Sequence, residues 1–399
     1  MAPSAASVNL TEEEGCPTPR SVDPVPAGRE VLSEEEEEEE EEGGCWPRCL
    51  RRGSGPGELE ESSFVNAQGL RIATYVIRAE DPVAVCVLVH GYKVTARYEW
   101  LAPTREGGPH VRWRGSFLER LHAAGVSVFA CDQQSHGDSE GVHGAVEDVG
   151  VSFDSLDDLA RDVIQLADEA AAQYPALPRF LVGSSMGGAT VVRAAQLVPD
   201  AERFAGVVAQ SPMLYMNGYR SSWSRSLALF MLDVALWAVG PTGETITSEG
   251  NLIASHDDEI KTEPKFYKGK MRATTLVACA GAMHRFMEEG GLEAPFRADS
   301  LLVLHSTKDT KCPLDGSEAL FARAQCPRKT LAVFAGIGKA PGETGRLEEA
   351  GGVDSTQIFP AALLDLPLFH NLVREPGGGP VATAVATWLR READRAAAQ

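Results

Sequence analysis

Phe180-Leu181-Val182-Gly183-Ser184-Ser185-Met186-Gly187-Gly188 decides how this chain is read. An apolar run suited to a strand enters a Gly-x-Ser-x-Gly turn, and a small-residue stretch of helical character, 188–197, leaves it. That order lifts a serine hydroxyl to the top of a sheet, on a turn too tight for side chains at Gly183 and Gly187. The chemistry it suits is acyl transfer through a covalent serine ester. The pattern recurs at Gly137-Asp138-Ser139-Glu140-Gly141, but there it follows polar residues 133–136 and no helix begins after it. Ser185, not Ser139, is the candidate nucleophile.

Outward from the turn, short β-rich runs alternate with helical ones. Residues 70–77, 83–89, 126–131, 180–182, 204–209, 301–304 and 330–334 read as strands. Residues 152–174 carry helical apolar spacing through Leu156, Leu159, Val163 and Leu166, and 380–391 closes with another helix. Such alternation predicts an α/β fold, a mostly parallel sheet with helices on both faces. Ligands of such sheets sit at the carboxyl ends of the strands, where the serine turn also lies. The alternation stops between Ser211 and Asp299, so residues 213–298 are expected to form a helical cap between two core segments, 63–212 and 299–395. Within it, 227–239 is unusually apolar. It is either one of a buried helix pair or a surface helix that meets lipid.

A serine hydroxyl needs a base to take its proton, and the base needs an orienting carboxylate; in this fold the order is Ser, then Asp or Glu, then His. Downstream of Ser185 the histidines are His256, His284, His305 and His370. The first two fall in the expected cap, and His305 ends a strand, where a structural role suits it. His370 precedes the last helix, the place for the base. Asp309 lies on the loop after the strand that ends at His305, the place for the acid. Two backbone N–H groups must hold the oxyanion. Met186, directly after the nucleophile, supplies one; Tyr92, after the strand-end His90-Gly91, supplies the other.

Composition narrows the rest. Residues 1–62 hold nine consecutive glutamates, 34–42, and 17 acidic against 5 basic residues, −12 of the chain's −20. So polar a segment cannot bury enough apolar surface to offset its ordering entropy, and it is expected to be a disordered acidic tail, either purely solvating or binding an unknown partner. The remaining charge of about −8 argues against a nucleic-acid surface. There is no signal-peptide pattern and no apolar run of membrane-spanning length, which predicts a cytoplasmic protein, peripheral to membranes if 227–239 meets lipid. The eight scattered cysteines form no zinc spacing, so neither metal nor cofactor is expected.

Taken together, these residues resemble the α/β-hydrolase superfamily and, within it, the monoacylglycerol lipase and lysophospholipase branch. His90-Gly91-Tyr92 is similar to the family's oxyanion loop. Asp132 to Gly141 resembles its D-x-x-G-H-G-x-S-E-G segment, with Ser135 for a glycine. Gly183 to Gly188 resembles G-H-S-M-G-G, with Ser184 for a histidine. Tyr267-Lys268-Gly269-Lys270-Met271-Arg272 is similar to the exit of the cap, and His370-Asn371-Leu372 with Glu375-Pro376 to the base segment. The resemblance implies a cofactor-free serine esterase acting on a single-chain glycerolipid, and a structural role for Ser139. Two features depart from it: an insertion at 336–365, expected as a surface excursion, and a smaller one at 103–114. The alternatives are an esterase or thioesterase on a non-lipid acyl conjugate, and an inactive binding protein on the same scaffold.

Overall fold

The computed structural model describes residues 57–105, 108–200, 203–215, 222–244, 263, 265–340 and 342–398. The expected acidic tail lies outside them up to residue 56. Its last residues, placed in the tail on composition, belong instead to the sheet: the first strand, β1, is Leu59–Val65. β1 pairs antiparallel with β2 (Arg71–Ile77), so the charged 59–61 stretch is a sheet edge rather than part of a disordered tail.

The other strands are β3 (Ala84–Val89), β4 (Ala102–Pro103), β5 (His110–Arg112), β6 (Val126–Cys131), β7 (Arg179–Ser184), β8 (Gly206–Gln210), β9 (Ser300–Ser306), β10 (Arg328–Phe334) and β11 (Arg346–Ala350). The main sheet runs β1-β2-β6-β3-β7-β8-β9-β10-β11, parallel from β6 through β10. This is the α/β-hydrolase fold. The central strands are apolar on both faces because both are covered. In β3, Val85, Val87 and Val89 enter one core, whereas Ala84, Cys86 and Leu88 enter the other.

Helices α4 (Leu156–Gln173) and α5 (Met186–Leu197) cover the first face. α4 opens on Ser155, whose hydroxyl accepts from the N–H of Asp157, and buries Leu156, Leu159, Val163 and Leu166 as its spacing predicts. The second face takes α2 (Phe117–Ala123) and α10 (Gly379–Ala397). The remaining helices are α1 (Ala96–Trp100), α3 (Val146–Val149), α6 (Ser222–Val239), α7 (Ala273–Met287), α8 (Leu314–Arg323) and α9 (Ala361–Leu364).

Between β8 and β9 stand α6 and α7, packed on each other. α7 is tied to the core by Thr274 and Thr275, which donate to the Asp154 carboxylate and the Val151 carbonyl at 2.9 and 3.0 Å. On α6, Leu227, Phe230, Met231, Val234 and Trp237 are exposed at i, i+3, i+4, i+7 and i+10, a single stripe. A buried helix pair, one of the two readings of this segment, does not describe α6.

The insertion at 336–365 is less of an excursion than expected. Its residues 346–350 pair antiparallel with β10 as the edge strand β11, and Phe359, Leu363 and Leu364 enter the second core. The smaller insertion at 103–114 carries the β4–β5 ladder.

Candidate active site

The turn after β7 has the strain its sequence implies. Ser185 sits at φ 55° and ψ −115°, a region that side chains rarely adopt. A Cβ on Gly183 would lie 2.2 Å from the Gly187 carbonyl oxygen, and one on Gly187 would lie 2.2 Å from that of Val89. The Ser185 N–H donates to the Gln210 carbonyl at 2.9 Å, and its carbonyl accepts from Met213 at 3.0 Å, which anchors the turn to the end of β8.

Ser139 occupies a quite different setting. Its buried hydroxyl donates to the Asp132 carbonyl at 2.6 Å and accepts from the Ala73 N–H at 2.8 Å. Asp132 in turn accepts from Ala96 N–H, Asp138 N–H and the Tyr75 hydroxyl. Ser135, in the position of a glycine, takes φ 61° and accepts from the Ser152 N–H.

Asp309 and His370, 61 positions apart, meet: Nδ1 of His370 lies 2.7 Å from Oδ2 of Asp309. Asp309 follows β9, and its Oδ1 accepts from the N–H groups of Lys311 and Cys312. His305, the last-but-one residue of β9, adds its Nε2 at 3.4 Å from the same Oδ2. Burial would push the Asp309 carboxyl up, but His305 and His370 more than offset that and hold it well below the usual carboxylate range. A carboxylate fixed as an anion accepts the Nδ1 proton and leaves Nε2 of His370 as the acceptor. Nε2 is buried and has no hydrogen-bond partner. The Ser185 hydroxyl meets the Cys312 thiol at 4.0 Å, so the Ser185–His370 hydrogen bond is not formed in this conformation. Burial raises the Cys312 thiol, keeping it neutral beside the serine.

The loop that carries His370 is fastened from within. The Glu375 carboxylate accepts the N–H groups of Phe369, His370 and Asn371 at 2.6–2.9 Å, and the Ser211 hydroxyl donates to the His370 carbonyl at 2.8 Å.

Of the two expected oxyanion donors, Met186 directly follows Ser185, and Tyr92 directly follows Gly91, which lies against that serine. Met186 opens α5, where a first-turn N–H has no partner within its own helix. Tyr92 is set by His90. The Gln133 N–H donates to His90 Nε2 at 2.9 Å, so the ring proton is on Nδ1, which donates to the Gly91 carbonyl at 2.7 Å. A trans peptide then turns the Tyr92 N–H to the side opposite that carbonyl. Burial and the neighbouring His136 hold His90 well below its ordinary value, which keeps this tautomer neutral. A Cβ on Gly91 would sit 3.4 Å from that of Ser185, so this loop lies directly against the serine.

Sequence reading brought out Ser185, Asp309, His370, Tyr92 and Met186, and left unassigned the groups around them: His90, Glu99, Gln210, Cys312 and Asn371. Cys312, three residues after Asp309, was signalled by its place on the same loop; Glu99 and Gln210 carry no local signal. Among the described residues no group of His, Cys, Asp and Glu is arranged to hold a metal ion.

Known proteins resemble the chain. A family model described as serine aminopeptidase, S33, matches residues 107–338. The chain is 30% identical over 278 residues to a monoglyceride lipase of Homo sapiens, covering 68% of this chain and 81% of that protein. It is 28% identical over 282 residues to a monoacylglycerol lipase of Mycolicibacterium smegmatis, covering 69% and 89%. A solved structure of a soluble variant of monoglyceride lipase from Saccharomyces cerevisiae superposes with TM-score 0.56 at 16% identity, over 88% of this chain and 99% of that one. At that identity the likeness speaks to the fold.

Proposed function

Because the chain belongs to the serine aminopeptidase S33 family, as a monoacylglycerol lipase-like α/β-hydrolase and a carboxylic ester hydrolase, we propose that it cleaves single-chain glycerolipid esters through an acyl-enzyme on Ser185. One observation carries the mechanism: His370 is held by Asp309 at 2.7 Å with its other ring nitrogen buried and unengaged.

In this reading Ser185 turns from Cys312 toward His370, whose Nε2 takes the hydroxyl proton as the oxygen attacks the ester carbonyl. Asp309 fixes the tautomer and stabilises the imidazolium. The N–H groups of Tyr92 and Met186 receive the oxyanion, and losing one such donor lowers kcat by about 10²–10³-fold. His370 then protonates the leaving glycerol oxygen, and water, activated by the same ring, releases the fatty acid. Metals and cofactors have no part in these steps.

A monoacylglycerol or lysophospholipid has a single apolar chain, and its natural location is an aggregate or bilayer. The exposed stripe of α6 supports transient, peripheral contact with such a surface. No helix among the described residues is long and apolar enough to cross a membrane.

Fatty-acid release from monoacylglycerol, lysophosphatidylcholine and p-nitrophenyl acetate, measured side by side for wild type and Ser185→Ala, tests the proposal. Release from one or both lipids, abolished in the variant, is expected. Turnover of the non-lipid ester alone favours an esterase of another class, and no turnover by folded protein favours an inactive scaffold.

A further inference from the structure

Four buried polar side chains, linked in a chain by hydrogen bonds, join the turn to the loop that carries His370. The Asn371 amide donates to the Glu99 carboxylate at 2.6 Å. The Gln210 amide nitrogen donates both to Ser184 Oγ, at 2.9 Å, and to Asn371 Oδ1, at 3.1 Å. The Val373 N–H donates to Gln210 Oε1 at 3.2 Å, which fixes the orientation of that amide. All four side chains are at most 5% exposed.

Proton accounting gives the chain a direction. Gln210 spends its two amide hydrogens on Ser184 and Asn371, and Asn371 gives one of its own to Glu99. The carboxylate is therefore the acceptor at which the chain ends, and the chain joins the residue before Ser185 to the residue after His370.

We propose that Glu99 is a positioning residue that sets His370 and Ser185 at working separation through Asn371, Gln210 and Ser184, and that its negative charge steadies His370 when that ring takes a proton. The inference rests on the reaction proposed above. Ser184 is specific to this network: it stands where the resembling pattern has histidine, and its hydroxyl accepts from the Gln210 amide.

Burial holds the Glu99 carboxyl above its ordinary value, and Ser184, Arg374, Asn371 and His370 offset that only in part. Arg374 lies over the Tyr98 ring at 3.9 Å and donates to Nε2 of His110, whose Nδ1 meets Glu263 at 2.9 Å. Arg374 is thus linked to a second buried carboxylate through His110. Facing His370 are Asp309 at Nδ1, with His305 behind it, and Glu375 at the backbone.

The experiment is the pH dependence of kcat and kcat/KM on a soluble p-nitrophenyl ester for wild type, Glu99→Gln, Ser184→Ala and the double variant. Glu99→Gln keeps the volume but replaces an acceptor by a donor. We expect kcat to fall about 10-fold or more, KM to change less than about 2-fold, and the acid limb to move to lower pH. Ser184→Ala should fall less, and the double variant should be no worse than Glu99→Gln, because both act along one path. Superimposed pH profiles with effects that simply multiply would overturn the inference. If Glu99→Gln does not fold, Ser184→Ala and Asn371→Ala form the same cycle, with non-multiplying losses expected and multiplying losses contradicting it. A wild type that hydrolyses no ester defeats the underlying reaction; an active wild type with unchanged profiles defeats this inference alone.

Discussion

Single methyl groups separate the roles of neighbouring residues at the serine turn. In Gly187→Ala the new carbon would lie 2.2 Å from the Val89 carbonyl, which belongs to the sheet and has nowhere to go. A loss of about 3 kcal/mol or more is expected in urea unfolding. Ser185→Ala, two positions earlier, already has its Cβ and its strained φ, so its unfolding midpoint should stay near wild type while hydrolysis disappears. Asp309→Asn should leave the loop folded but let His370 take the wrong tautomer, with kcat lower by about 10⁴-fold. At this scale Ser185, Asp309 and His370 were legible because order along the chain and strand ends restrict where they can stand. The Glu99 network was not legible, since Glu99 and Asn371 are 272 positions apart and only the folded sheet brings them together.

Among the elements, α6 has the most to reveal. Its stripe of Leu227, Phe230, Met231, Val234 and Trp237 was visible as apolar density, but density alone does not say which way a helix faces. Trp237 is 87% exposed, so its indole is available to an interface. Changing Phe230, Met231 and Trp237 together to serine should weaken binding to phosphatidylcholine vesicles by about 10-fold or more, read by co-sedimentation, since each buried apolar side chain contributes about 1.5–3 kcal/mol. Hydrolysis of a soluble ester should be unaffected; unchanged vesicle binding would remove the surface-contact reading. The edge strand β11 escaped sequence reading for the opposite reason. Arg346-Leu347-Glu348-Glu349-Ala350 is charged as an edge strand is, to discourage further pairing, and such a run looks like a loop.

Across the whole molecule, alternation of strand and helix was enough to read the central strands of the sheet, because they are buried on both faces and leave an apolar record, whereas the edge strands β1 and β11 leave none. Its electrostatics depend on burial and could not be read. Burial lowers the buried His136 to about 4, from an ordinary value near 6.5. As pH falls from 7 to 4, the unfolded chain binds a proton there that the folded chain resists, so stability decreases with acid, by about 3 kcal/mol from this group. His136→Gln should flatten the dependence of the urea midpoint on pH across that window, whatever Asp132 and Asp162 add in the opposite sense with values raised to about 6. The reaction itself requires one hydroxyl made nucleophilic by one imidazole. Peptide mass mapping of the folded protein after treatment with a fluorophosphonate ester tests this most directly. The adduct is expected on Ser185 in wild type and should be lost, or slowed at least about 10³-fold, in His370→Ala. An adduct on Ser139 or elsewhere, or labelling of Ser185 that does not depend on His370, would contradict the account.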